Sequence, residues 1–348
     1  MFIKKTLIVV GAGASNEVDI PTGEGLKNRI AQMANIKFRG GVEMVSGDKM
    51  IYEAVQQLSN RNLPTVNSYL QAGRIIHDAM PQAISIDNFI DSHQGNKEIE
   101  IVGKLSIVKA ILDAERHCKF ILDSSRTSKL NFEGVKDTWF NSFVQLLGQN
   151  CRAEQVQERL SKIQFIVFNY DRCIEHYLYH YLQNYYNISE GKAAEIVSSI
   201  KIYHPYGTVG NLPWHLNTNA IEFGGEPDSS QLLALSNRIK TFTESNDPNS
   251  KDIISIHEEI SNANIVLFLG FAYHPQNLKL IYPETLHQKR DGLINYYGTT
   301  KGMSLYDVEI LETELSALSA VKGSFIHINN PTTCAGLFKA HWRSLSLS

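Results

Sequence analysis

Three polar side chains, Asn169, Asp171 and His204, stand directly after short apolar runs. A fourth run, Leu7-Ile8-Val9-Val10, passes into Gly11-Ala12-Gly13-Ala14-Ser15. Branched apolar runs of this length read as buried strands, and open α/β sheets bind their ligands beyond the carboxyl ends of such strands. A glycine turn that leads from a strand into a helix leaves backbone N–H groups and a positive helix end for phosphates. Side chains larger than alanine would hold a diphosphate away from that backbone. The same turn serves as a plain tight turn in any α/β protein, so both readings stand. Asp171 equally suits the N-cap of the helix after it. His204 suits either a structural hydrogen bond or a base, since an unperturbed imidazole titrates near pH 6.5.

The turn departs from the G-x-G-x-x-G fingerprint, because Asn16 occupies the third glycine's place. Hydride-transfer enzymes usually carry an acid about twenty residues further on, at the end of a second strand. Here that stretch reads Asn35-Ile36-Lys37-Phe38-Arg39-Gly40-Gly41, which disfavours an ordinary dehydrogenase. His176 and His180 lie one helical turn apart, as metal ligands can. Glu175 precedes the first histidine instead of following it, so they read as surface histidines and no metal site is expected.

With 348 residues the chain can bury an ample core, and a net charge of -3 makes no electrostatic case for nucleic acid. No apolar run is long enough for a membrane span, and the short N-terminal run suits a first strand better than a signal peptide. The four cysteines, Cys118, Cys151, Cys173 and Cys334, are scattered without a C-x-x-C pair. Reduced thiols in the cytoplasm are the expectation.

Four strands follow the first glycine turn's pattern or close the chain: 165–168, 200–203, 264–269 and 324–328. Residues from about 45 to 160 read as a mainly helical insertion, with Ile101, Leu105, Val108 and Leu112 on one helix face. Ser85 or Asp87 could cap a helix within it. Ile174, Tyr177, Leu178, Tyr181 and Leu182 make the stripe of a helix after Asp171, and Ser304 with Asp307 begins another. No repeat or linker divides residues 1–348, so one elaborated α/β domain is expected.

The strand ends in order, GAGAS, FNYD, YHPYG, FLGF and HINN, resemble the sirtuin family, whose turns carry GAG, Q-N-I-D, H-G, G-T-S and I-N. Glu222-Phe223-Gly224-Gly225-Glu226-Pro227 resembles the F-G-E segment of the deacylases. The zinc cysteines are missing between His204 and Phe223. Phe271 and Ala272 replace the serine and threonine of G-T-S, and Thr22-Gly23-Glu24 replaces D-F-R. A zinc-less core with a helical insertion and an S-I-D-x-F segment resembles the bacterial antiphage-defence branch, whose members hydrolyse NAD+.

The resemblance implies a Rossmann-like parallel sheet of sirtuin type without a zinc module, and NAD+ as substrate with no metal. It implies that Asn169 fixes the ribose and water, that His204 is the base, and that Asp171 meets the nicotinamide carboxamide. Gly11, Ala12, Gly13 and Ser15 would cradle the diphosphate, with Thr22, Gly270 and Phe271 around it. Asn329 would bond the adenosine ribose, and Asp87 joins the site on the S-I-D match. A catalytic fold occupying nearly the whole chain implies control in trans, through homo-oligomerisation and a separate partner such as a HerA-type ATPase. A protein deacylase and a non-catalytic NAD or ADP-ribose sensor are the alternatives.

Overall fold

A computed structural model describes residues 2–60, 65–122, 129–215, 220–245, 247, 250–282, 293–318, 324–328 and 331–347. Six strands form one parallel sheet: β1 (Thr6–Val10), β4 (Ile163–Val167), β5 (Lys201–Tyr203), β6 (Ile265–Leu269), β7 (Asn295–Gly298) and β8 (Phe325–His327). A separate antiparallel ribbon, β2 (Lys37–Arg39) with β3 (Glu43–Ser46), follows the first long helix. The sheet order is β5-β4-β1-β6-β7-β8. Counting only this sheet's strands along the chain, that is 3-2-1-4-5-6, the order of a Rossmann-like sheet with its switch point beside the first strand.

β1 is buried along its whole length because both of its faces are covered. Leu7 and Val9 pack with Ile166, Val266 and Phe268 on one face. Ile8 and Val10 pack with Phe165, Val167, Leu267 and Leu269 on the other. The period-two alternation therefore supplies two cores from one strand.

The 45–160 block contributes to both layers. Helices α1 (Ala12–Ser15) and α2 (Gly23–Ala34) precede it, and α3 (Lys49–Ser59), α4 (Val66–Ala79), α5 (Ile86–Ser92) and α6 (Lys97–His117) join the first core. Helix α7 (Trp139–Gly148) and α8 (Val156–Leu160) join the second. The one-faced reading of α6 is corrected. It is buried around most of its circumference, while Ile101 is only half-buried. Ser85, not Asp87, caps α5, its Oγ accepting the Asn88 N–H at 3.1 Å. Ser304 and Asp307 form the expected reciprocal pair, with Oγ to Oδ2 at 2.6 Å and the Asp307 N–H to Oγ at 3.1 Å. Strand β7 and the ribbon were not expected, and no helix among the described residues is long and apolar enough to cross a membrane.

The turns after β1 and β6 are packed backbone to backbone. A Cβ on Gly11 would lie 2.6 Å from the Gly270 carbonyl oxygen, and one on Gly13 would lie 2.9 Å from the Gly270 Cα. Gly270 has φ +54°, and its Cβ would sit 2.0 Å from the Ala14 nitrogen. Gly270→Ala therefore lowers the thermal midpoint, the left-handed backbone alone costing about 1–3 kcal/mol. An unchanged midpoint by circular dichroism would refute this packing.

Candidate active site

Strands β1 and β4 are neighbours, so the polar residues at their carboxyl ends meet. The Asn169 Nδ2 donates to the Gly11 carbonyl at 3.1 Å and to the Ser15 Oγ at 2.9 Å. Both amide hydrogens are used, which leaves Oδ1 as an acceptor. Strand β5 lies next to β4 and ends just before His204, whose Nδ1 is 3.2 Å from the Asn169 carbonyl. A carbonyl only accepts, so Nδ1 carries a proton. Ser15, Asn169 and His204 thus form one connected chain at the strand ends.

The other ring nitrogen, Nε2, lies 2.9 Å from the Glu175 Oε1. Glu175 sits in the first turn of α9 (Cys173–Tyr186), one turn beyond Asp171. Burial alone would push the His204 pKa down, but the Glu175 carboxylate more than offsets it and the net shift is upward. Burial alone would likewise raise Glu175, yet the charge of His204 holds it below its usual value. The two groups form a buried pair that is ionic while His204 holds its second proton. Sequence reading missed Glu175, although its spacing from Asp171 on one helix face was the available signal.

The stability contribution of this pair has a defined window. The folded His204 titrates above 6.5, so its share is full below that pH and fades as pH climbs through the raised value. The folded Glu175 titrates below 4.5, so its share is full above that pH and fades as pH falls through the lowered value. The thermal midpoint of the parent should exceed that of His204→Gln most between these limits. A difference that shows no decline as pH rises into the alkaline range would exclude the pair.

Asp171 is 3 % exposed. Its Oδ1 accepts the Cys173 N–H at 3.2 Å, but the N-cap of α9 is Arg172, so the reading of Asp171 as the cap is corrected. Burial raises its pKa, with Cys173 and Ser15 pulling the other way. Asp171 also stands at the end of the sheet's second strand, which the insertion carries far along the sequence. The carboxylate at that strand end is turned inward onto Ser15 and Cys173.

The other expected residues are more dispersed. The Gly11, Gly13 and Ala14 amides already donate to the carbonyls of Leu269, Gly270 and Gly11, so the turn offers less free backbone than expected. Gly13 is exposed and Ala12 half-buried. Thr22 precedes α2 without capping it through its side chain. Phe271 is buried in an aromatic cluster, 5.2 Å from Phe168 and 5.3 Å from Tyr273 between ring centres. Asp87 accepts a hydrogen bond from the Tyr170 hydroxyl, and desolvation pushes its pKa up to about 7. Asn329 lies outside the described residues.

The surface reading of the histidine pair is corrected for His176. It is buried, stacked on Phe223 with ring centres 4.0 Å apart, and bonded to the Phe120 carbonyl at 3.0 Å. Among the described residues no group of three His, Cys, Asp or Glu side chains could hold a metal ion.

Behind the site, Arg172 and Glu115 form a fully buried ion pair. Glu115 Oε1 accepts from the Arg172 backbone N–H and Nε, and Oε2 from Nη2 at 2.5 Å and the Gly224 N–H at 3.0 Å. Arg172 also donates to the carbonyls of Ile221 and Glu222. The pair therefore ties α6 to the start of α9 and to the Phe223 segment. No family model matches this chain, and no curated protein matches its sequence.

Proposed function

We propose that this chain is a sirtuin-like NAD+ hydrolase that releases nicotinamide and ADP-ribose and acts as an NAD-depleting effector in antiphage defence. The observation that carries the reading is the contact between Asn169 and His204, beside the Gly11–Ser15 turn at the sheet's switch point. Nicotinamide departs as a neutral molecule, so the reaction needs a held ribose, stabilised oxocarbenium character and a delivered water. Asn169 Oδ1, an acceptor once Nδ2 is held by Gly11 and Ser15, would accept from a ribose hydroxyl or that water. The base is His204 Nε2, which has to give up its proton and leave the Glu175 carboxylate to reach a ribose hydroxyl or the water, while Nδ1 stays on the Asn169 carbonyl. Nicotinamide release should therefore rise as pH passes upward through the raised pKa of His204.

The test is nicotinamide release from NAD+ with and without an acyl-lysine peptide. Release without peptide supports the hydrolase. Release only with peptide would make the chain a deacylase, and binding without turnover a sensor.

Control is proposed to act in trans, through self-association and a separately encoded partner such as a HerA-type ATPase. The self-association part is supported by exposed apolar side chains, Leu305, Tyr306 and Ile310 on the helix Leu305–Leu318 and Phe325 on the edge strand β8. A monomeric mass at micromolar concentration would remove that part.

A further inference from the structure

A cavity of about 480 Å³ opens on the far side of His204, lined by Glu175, Asn211, His215, Arg238 and Lys240 among others. Neither Asn169 nor the Gly11–Ser15 turn lines it. Three of its side chains have a buried polar atom without a hydrogen-bond partner among the described residues: Glu175 Oε2, His215 Nδ1 and Arg238 Nε. Orphaned buried polar atoms are uncommon in folded proteins, and three around one cavity point to a ligand.

The charges say what kind. Arg172 is matched by Glu115, and His204 by Glu175. Lys240 stands at the exposed rim, 3.8 Å from Asp252. Arg238 has no carboxylate partner among the described residues; its Nη2 donates to the neutral Asn211 Oδ1 at 2.9 Å. A half-buried guanidinium without a counter-ion is costly, and it is held here by the backbone. Gly207, with φ +77°, packs so closely that a Cβ would lie 1.9 Å from the Arg238 carbonyl oxygen.

Lys240 is thus matched by Asp252, which also lines the cavity, and the occupant must carry negative charge for Arg238. It must also carry a hydroxyl that can donate to Glu175 Oε2, since that 8 % exposed carboxylate would repel a bare anion. A phosphorylated sugar meets both demands and fits the volume. We propose that this cavity binds a phosphoribosyl group, with Arg238 on the phosphate and Glu175 on the ribose hydroxyls. Such a group reaches the cavity either as a free sugar phosphate or as part of a mononucleotide.

Calorimetric titration of the full chain with ribose 5-phosphate, ribose, inorganic phosphate and nicotinamide mononucleotide tests this. Ribose 5-phosphate should bind at least about tenfold more tightly than ribose or inorganic phosphate, because each lacks one half of the recognition. Arg238→Gln should lose about tenfold or more of that affinity with an unchanged thermal midpoint, and Arg238→Lys should recover part of it. Tighter binding of the mononucleotide would identify the nucleotide as source, and tighter binding of ribose 5-phosphate the free sugar. Ribose 5-phosphate binding no better than inorganic phosphate would overturn the proposal, whether or not any variant folds. So would full affinity in a folded Arg238→Gln. No NAD+ is present in the titration, so its failure leaves the hydrolase reading standing, and a chain that never cleaves NAD+ can still pass it.

Discussion

Nicotinamide release from NAD+ should fall by about 10²–10⁴-fold in His204→Ala, the range typical of a lost general base. It should fall by at least about 10²-fold in Asn169→Ala, which loses the group that orients ribose and water. The two variants differ in what they do to the fold. Asn169→Ala removes two hydrogen bonds, but the Gly11 carbonyl still receives the Ala14 N–H, so the structural cost is about 1–2 kcal/mol. His204→Ala leaves Glu175 buried without its counter-charge, and Glu175→Gln with His204 intact isolates the effect of the carboxylate. With Glu175→Gln the pKa of His204 should drop, and the pH–rate profile should move to lower pH by the same amount. Parental hydrolysis by a folded Asn169→Ala or His204→Ala would show that the roles are misassigned.

Glu115→Ala is expected to produce the largest loss of stability. It leaves the Arg172 guanidinium, 2 % exposed, with carbonyl partners but no negative charge. Breaking a buried pair in this way costs about 3–5 kcal/mol. At an unfolding entropy of about 2.1 cal/mol/K per residue, a chain of 348 residues should melt roughly 4–7 °C lower. The effect should reach the site as well, because Arg172 adjoins Asp171 and opens the helix that carries Glu175. Replacing both members by apolar residues of similar volume should restore much of the midpoint without restoring the position of the Phe223 segment. A midpoint within about 1 °C of the parent in Glu115→Ala would mean that the pair carries no such load.

Much of this arrangement is legible in the residues. The apolar runs around Val9, Phe165 and Leu267 are strands buried on both faces, and their composition says so without any neighbour. Asn169, Asp171 and His204 follow those runs directly, which places them at strand ends. Strand β7 escaped notice because Asn295-Tyr296-Tyr297-Gly298 has too few branched residues to stand out, and it is held by pairing with β6 and β8. His176 read as a surface residue because Glu175 before it breaks the metal-ligand pattern, and nothing nearby in the sequence names a partner for its ring. Phe223 and the Phe120 carbonyl, both distant in sequence, are what bury it.

Local residue chemistry determined the α/β character, the glycine turn, the capped helices and the set of polar strand ends. Those features depend on contacts within a few residues, or on a strand's own alternation. The tertiary structure alone decided that β4 and β5 lie side by side next to β1. From that follow the Asn169–His204 contact, the upward shift of the His204 pKa beside Glu175, and the inward turn of Asp171. Sheet order is set by long-range packing across the helical insertion, and desolvation depends on everything that surrounds a group. Neither quantity is carried by residue type and spacing.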